Sequence, residues 1–304
     1  MNRIDAERTP RRFGPVLAGL FGCALLFWQS PASAEPSEQA LALYHEGDFL
    51  NAANKAEASE TAAALAFAAR ALLTEAELRT PYGERGPLFD RAMELARQSL
   101  RLDASMIEAH LQLVAALGFK SRAMEGLEAH FSGYPEEARE HLDYVLDKDP
   151  GNALAHAMLG SWNLIIVRKG GTLGAAVYGA DVETGIRHYE TALTLAPDNA
   201  LIAYQYALQC AALGTPEKLR RSEKILEGLL TREAESAVEE IVKNRAGMLK
   251  TAIESGSRRV LEPILAAHLG KAAMPPKDVV PAAGRAPAER ERKNFSKDAI
   301  GAPR

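Results

Sequence analysis

The chain has 304 residues, of which 47% are hydrophobic and 25% charged, with a formal net charge of −4. Lys and Arg number 36 against 40 Asp and Glu, which excludes a chain that is basic throughout and built for nucleic acid. Two cysteines, Cys23 and Cys210, exclude a disulfide scaffold and a four-cysteine zinc site, and 6% aromatic residues suit Ala- and Leu-rich helices better than a sandwich or barrel.

In chain order, residues 1–34 read as an export signal. Arg3, Arg8, Arg11 and Arg12 precede an apolar run from Phe13 to Trp28, and Ala32-Ser33-Ala34 then supplies the small-residue cleavage pattern. The run is short for a membrane span of about 20 apolar residues. This predicts a soluble, periplasmic product starting at Glu35. Two alternatives stand beside it. Leu20-Phe21-Gly22-Cys23 resembles a lipoprotein lipobox, although an apolar rather than polar stretch follows, and an uncleaved segment would leave an N-terminal anchor. Cleavage at Ala34 would leave Cys210 as the sole thiol and no intramolecular disulfide.

Residues 35–270 are the body, predicted to be all-α. Internal repetition is its main feature. Asp149-Pro150-Gly151-Asn152-Ala153 and Ala196-Pro197-Asp198-Asn199-Ala200 are turn-and-cap segments 47 residues apart, each followed by an apolar run with helical periodicity. A related segment at Asp103-Ala104 lies 46 before Pro150. Small residues recur at Ala52, Ala92, Ala138, Gly185 and Ser222, where paired helices need close approach. On these residues, 36–235 resembles the tetratricopeptide repeat (TPR). One copy runs His110-x2-Leu113-Val114, Ala138-x3-Leu142, Pro150; the next runs His156-x2-Leu159-Gly160, Gly185-x3-Tyr189, Pro197. The resemblance implies about five antiparallel helix hairpins stacked in a superhelical solenoid, with a terminal helix over 234–269.

The repeats depart from the 34-residue unit. The steps Leu113 to Ala138 and Leu159 to Gly185 are 25 and 26 residues where thirteen is usual, so two neighbouring copies carry tip insertions. Phe119–Ser132 is predicted helical; Arg168–Asp181, rich in glycine, is predicted a loop. Arg122 and Arg168 occupy equivalent places and are expected side by side on one edge of the stack.

Candidate binding residues follow. Arg168 and Lys169 precede Gly170-Gly171: they read either as a helix C-terminal cap or, with Arg122, as an anion or carboxylate site. Trp162 and Tyr178 are aromatic candidates, with helix packing as the alternative for Trp162. Asn152, Asn199 and Tyr204 fall where the TPR resemblance implies a concave peptide groove, whose other positions, such as Leu111 and Ala157, are apolar. His110 and His156 share one repeat position and read as packing residues; Glu137 and His141 share a helix face but do not make a zinc site. No catalytic motif, metal site or cofactor is expected.

Residues 271–304 hold five prolines and carry +4, which predicts a disordered tail. With +2 in the signal, the body carries −10. The function implied is a cell-envelope scaffold for protein partners. The alternative is an apolar small-molecule or lipid-binding accessory protein, similar to the TPR-like T component of TRAP transporters.

Overall fold

A computed structural model describes residues 35–269. The predicted export signal and basic tail lie outside the described residues. Among those described there are thirteen α-helices and no strand, and the fold is an all-α solenoid of antiparallel helical hairpins.

The hairpins follow chain order. They are α1 (Glu38–His45) with α2 (Phe49–Glu57), α3 (Ala62–Leu78) with α4 (Gly86–Leu102), and α5 (Ile107–Ala123) with α7 (Tyr134–Lys148). Then come α8 (Ala153–Tyr178) with α9 (Val182–Leu195), α10 (Ala200–Leu213) with α11 (Pro216–Leu230), and α12 (Ala237–Glu254) with α13 (Arg258–Leu269). The short α6 (Gly126–Phe131) bridges the tips of α7 and α8.

Two kinds of helix alternate. The inner helices α3 and α10 are buried on every side; in α10 this covers Ala200, Ile202 to Tyr204 and Tyr206 to Ala212. An outer helix such as α4 buries one stripe, Phe89, Ala92, Leu95, Ala96 and Ser99, and leaves its charged residues outside. Each fully buried leucine, among them Leu72, Leu113 and Leu142, contributes roughly 2 kcal/mol of transfer free energy. The inner helices α3, α5, α8, α10 and α12 touch in succession, and α12 then meets α3, so the stack closes on itself.

The repeated small residues sit where the helices of a pair meet: Ala52, Ala92 and Ser222 are fully buried. At α8–α9 a Cβ on Gly160 would lie 2.7 Å from the Tyr189 ring, and one on Gly185 would lie 2.9 Å from Leu164. Asn152 and Asn199 cap α8 and α10, accepting from the backbone N–H of Ala155 and Ile202 at 2.9 and 3.0 Å.

Two expectations are corrected. The stretch predicted as a loop, Arg168–Asp181, is helical as far as Tyr178. Gly171, at φ 59° and ψ −150°, breaks the helix for one residue only, and Thr172-Leu173-Gly174-Ala175-Ala176-Val177-Tyr178 resumes it. The terminal helix predicted over 234–269 is two helices, divided at Ser255-Gly256-Ser257, where Gly256 has φ 61°. The other insertion is helical as predicted, with a break at Met124-Glu125 between α5 and α6.

Candidate anion-binding site

Where α12 meets α3, the interior is charged. Glu77 lies in the last turn of α3, among its buried residues. A carboxylate there faces the negative end of its own helix, so it is stable only beside cations. Three guanidiniums supply them. Arg85 Nη1 lies 3.2 Å from one carboxylate oxygen, Arg122 Nη1 3.2 Å from the other, and Arg245 Nη1 4.0 Å from that same oxygen. The four side chains are only 9–14% exposed.

Backbone carbonyls fix the arginines in place. Arg85 Nε donates to Thr80 O at 2.9 Å, Arg245 Nη2 donates to Glu77 O and Leu78 O, and Arg122 Nη1 donates to His268 O at 2.9 Å. The arginines thereby cap the carbonyl ends of α3 and α13. His268 is held down to about 4 by burial and by the neighbouring Arg245, Arg122 and Arg85 charges, so its ring is neutral. Burial likewise pulls Arg85 below its usual value, opposed by Glu77.

A second basic group lies alongside. Arg168 is 4% exposed, donates from Nη1 to Gln209 Oε1 at 2.7 Å, and is lowered to about 10 by burial and then by Arg122. Lys169 is lowered to about 8 by burial and then by Arg168. Its ammonium donates to three carbonyls at the end of α5, those of Ser121, Arg122 and Met124, at 2.7–3.0 Å. All three N–H bonds are thus used in a cap.

Charge and hydrogen bonding are both one-sided. One carboxylate faces three guanidiniums, a local balance of +2. Arg122 Nε, Tyr204 OH and Gln209 Nε2 are buried and make no hydrogen bond among the described residues. All three are donors, and buried donors without acceptors are costly. A cavity of about 280 Å³ opens beside the arginines; Phe89, Phe119 and Met124 line it together with Arg85, Arg122 and His268. The excess positive charge beside a cavity makes this a candidate site for an anion.

The structure brings Arg122, Arg168 and Lys169 together, in the interior rather than on an edge. The expected edge placement gives way to burial: Arg168 is 4% exposed and the Arg122 side chain 12%. Tyr204 belongs to the same region: it is 1% exposed and meets His268 edge-on at 6.1 Å. The remaining candidates lie elsewhere. Trp162 is buried and donates to Pro135 O at 2.9 Å. Tyr178 reaches His130 Nδ1 at 2.6 Å on the tips. Asn152 and Asn199 are helix caps.

Sequence reasoning missed Glu77, Arg85, Arg245 and His268. The available signal was a charge on an apolar face: Glu77 follows Leu73 by four, and Arg245 lies between Val242 and Leu249.

His110 and His156 each pair with a histidine of the next outer helix, His141 and His188, with Nδ1 atoms 2.6 and 3.0 Å apart. Nε2 of each meets a carbonyl, Ala104 O or Pro150 O. No group of three or more His, Cys, Asp or Glu gathers in metal-binding geometry among the described residues.

No family model matches this chain, and no curated protein matches it.

Proposed function

We propose that this is an exported binding protein that holds a small anionic ligand inside a helical solenoid. The observation that carries the reading is the buried carboxylate of Glu77, set among Arg85, Arg122 and Arg245 beside a cavity. An internal charge of +2 is costly unless an anion balances it, and it lies within a body that is otherwise acidic. The N-terminal signal pattern supports export to the periplasm. The resemblance to TPR proteins, and to the T component of TRAP transporters, supports an accessory role in transport. Burial of Tyr204 and Leu111 favours an internal ligand over a peptide in the concave groove.

Thermal unfolding tests the reading. At a hundredfold excess over Kd, an anion adds about 2.7 kcal/mol, roughly 5–10 °C in Tm for a domain of this size. Carboxylates or phosphate should raise Tm beyond matched sodium chloride, and Arg122→Met should remove that rise. If no anion does better than chloride, the reading fails.

A second reading, the envelope scaffold, is supported by the tips. Leu127 and Phe131 on α6 are 70% and 78% exposed, and Leu173 and Val177 on α8 are 75% and 59% exposed. Phe131→Glu with Leu173→Lys should abolish co-purification of any envelope partner that docks there while leaving anion binding intact.

A further inference from the structure

The cavity is chemically two-sided. Two guanidiniums, those of Arg85 and Arg122, are in its lining. Arg122 Cζ stands 4.5 Å from the centre of the Phe119 ring and Arg85 Cζ 5.6 Å from that of Tyr82, so an aromatic already occupies one face of each. Arg85 Nε and Nη1 and Arg122 Nη1 are spent on Glu77 and on backbone carbonyls, which leaves the Nη2 groups to meet a planar carboxylate. Arg122 Nε is buried from the cavity and has no acceptor among the described residues.

One side of the wall is apolar. Phe89 and Phe119 stack at 5.2 Å with 29° between their planes, and Met124 and Ala267 extend the lining. A tetrahedral oxyanion would turn its remaining oxygens toward these groups, where nothing donates to them. At the mouth, Glu128 is exposed and adds a negative charge against any second anionic group. Lys120, also in the lining, is engaged with Asp90. The volume, about 280 Å³, falls just under the usual range of roughly 300–1,000 Å³ for ligand pockets, which suits a short or single-ring molecule and not a long acyl chain.

We infer that the cavity binds a monocarboxylate with a compact apolar body, its carboxylate against Arg85 and Arg122 and its body between Phe89, Phe119 and Met124. The inference rests on the anion-binding reading and adds the ligand class. Glu77 then acts as a resident counter-ion: it holds the arginines in place and leaves enough positive charge for one further carboxylate.

Calorimetric titration of the full chain with benzoate, hexanoate, acetate, succinate, inorganic phosphate and benzamide tests it. Benzoate and hexanoate should bind at least about tenfold more tightly than acetate, succinate or phosphate, the gain expected from burying two or more methylene-sized groups. Benzamide, isosteric but uncharged, should not bind. Phe119→Leu should weaken benzoate several-fold and leave acetate unchanged. Phosphate or succinate binding as tightly as benzoate would overturn the monocarboxylate class and leave the anion-binding reading standing. Benzamide matching benzoate would overturn the assignment of Arg85 and Arg122 to the carboxylate. If no anion binds, both the inference and the reading beneath it fall. The ligand comparison is made on the unaltered chain, so a misfolded variant does not blunt it.

Discussion

The seam between α8 and α9 is closed by removing side chains, whereas the junction of α3, α5, α12 and α13 is closed by charged ones. At the seam, Gly160 and Gly185 let the helices approach until a Cβ on either would lie 2.9–3.0 Å from the other's carbonyl oxygen. Tyr189 fills the space beside them, fully buried, with its hydroxyl paired to Ser161. At the junction, four charged side chains share a space of comparable burial, and the balance is +2. The seam is satisfied within itself. The junction keeps an excess of positive charge that the proposed anion would balance.

The largest effect should come from breaking the junction. Glu77→Gln leaves three buried guanidiniums without a counter-ion and should cost about 3–5 kcal/mol in denaturant unfolding. The same variant should gain more from an added carboxylate than the unaltered chain does, because the anion replaces the missing charge. Equal gains in both would mean that Glu77 and the ligand do not share the arginines.

Overpacking the seam should cost less. Gly160→Ala places a methyl 2.7 Å from the Tyr189 ring. Strain of about 1–3 kcal/mol is offset by the better helix propensity of alanine, roughly 1 kcal/mol. A net loss of up to about 2 kcal/mol is expected, the same with or without carboxylate.

Acid should separate the two regions more gently. Burial depresses His110, His141, His188 and His268, the last to about 4. Below the ordinary imidazole value of 6.5 the unfolded chain therefore binds more protons than the native one. The stability gained by keeping these rings neutral is complete above pH 6.5 and is lost as pH falls toward 4. Urea midpoints should decline across that window, and His268→Gln should flatten the part belonging to the junction.

The smallest expected effect is none at all. Cys210, fully buried beside the seam cluster, has its thiol pushed up to about 12 by burial. Alkylation at pH 8, read by mass at Cys210, should not proceed until denaturant is added.

The seam was the more legible of the two regions. Gly185 and its counterparts Ala92, Ala138 and Ser222 repeat at 46, 47 and 37 residues, because every hairpin imposes the same steric demand. That demand is local, so it is written in local sequence. The glycine-rich tip misled for a related reason: Gly170-Gly171 suggested a loop, but one residue absorbs the break and the alanines beyond it sustain a helix. At the junction, Arg122 and Arg168 were visible through their equivalent repeat positions, Lys169 through its place beside Arg168, and Tyr204 through the TPR resemblance. Glu77 and Arg245 are 168 residues apart and belong to no shared motif, and only the curvature of the whole stack brings them together.

The return of α12 onto α3 has a consequence for cooperativity. In an open solenoid each repeat contacts only its neighbours, so the ends fray independently and stability adds along one dimension. Here the hydrogen bonds from Arg245 to the carbonyls of Glu77 and Leu78 tie the last inner helix to the first long one. Neither end of the ring can open without releasing the other. Residues 35–269 should therefore unfold as a single unit, and they fold under the entropic burden of a contact that spans most of their length.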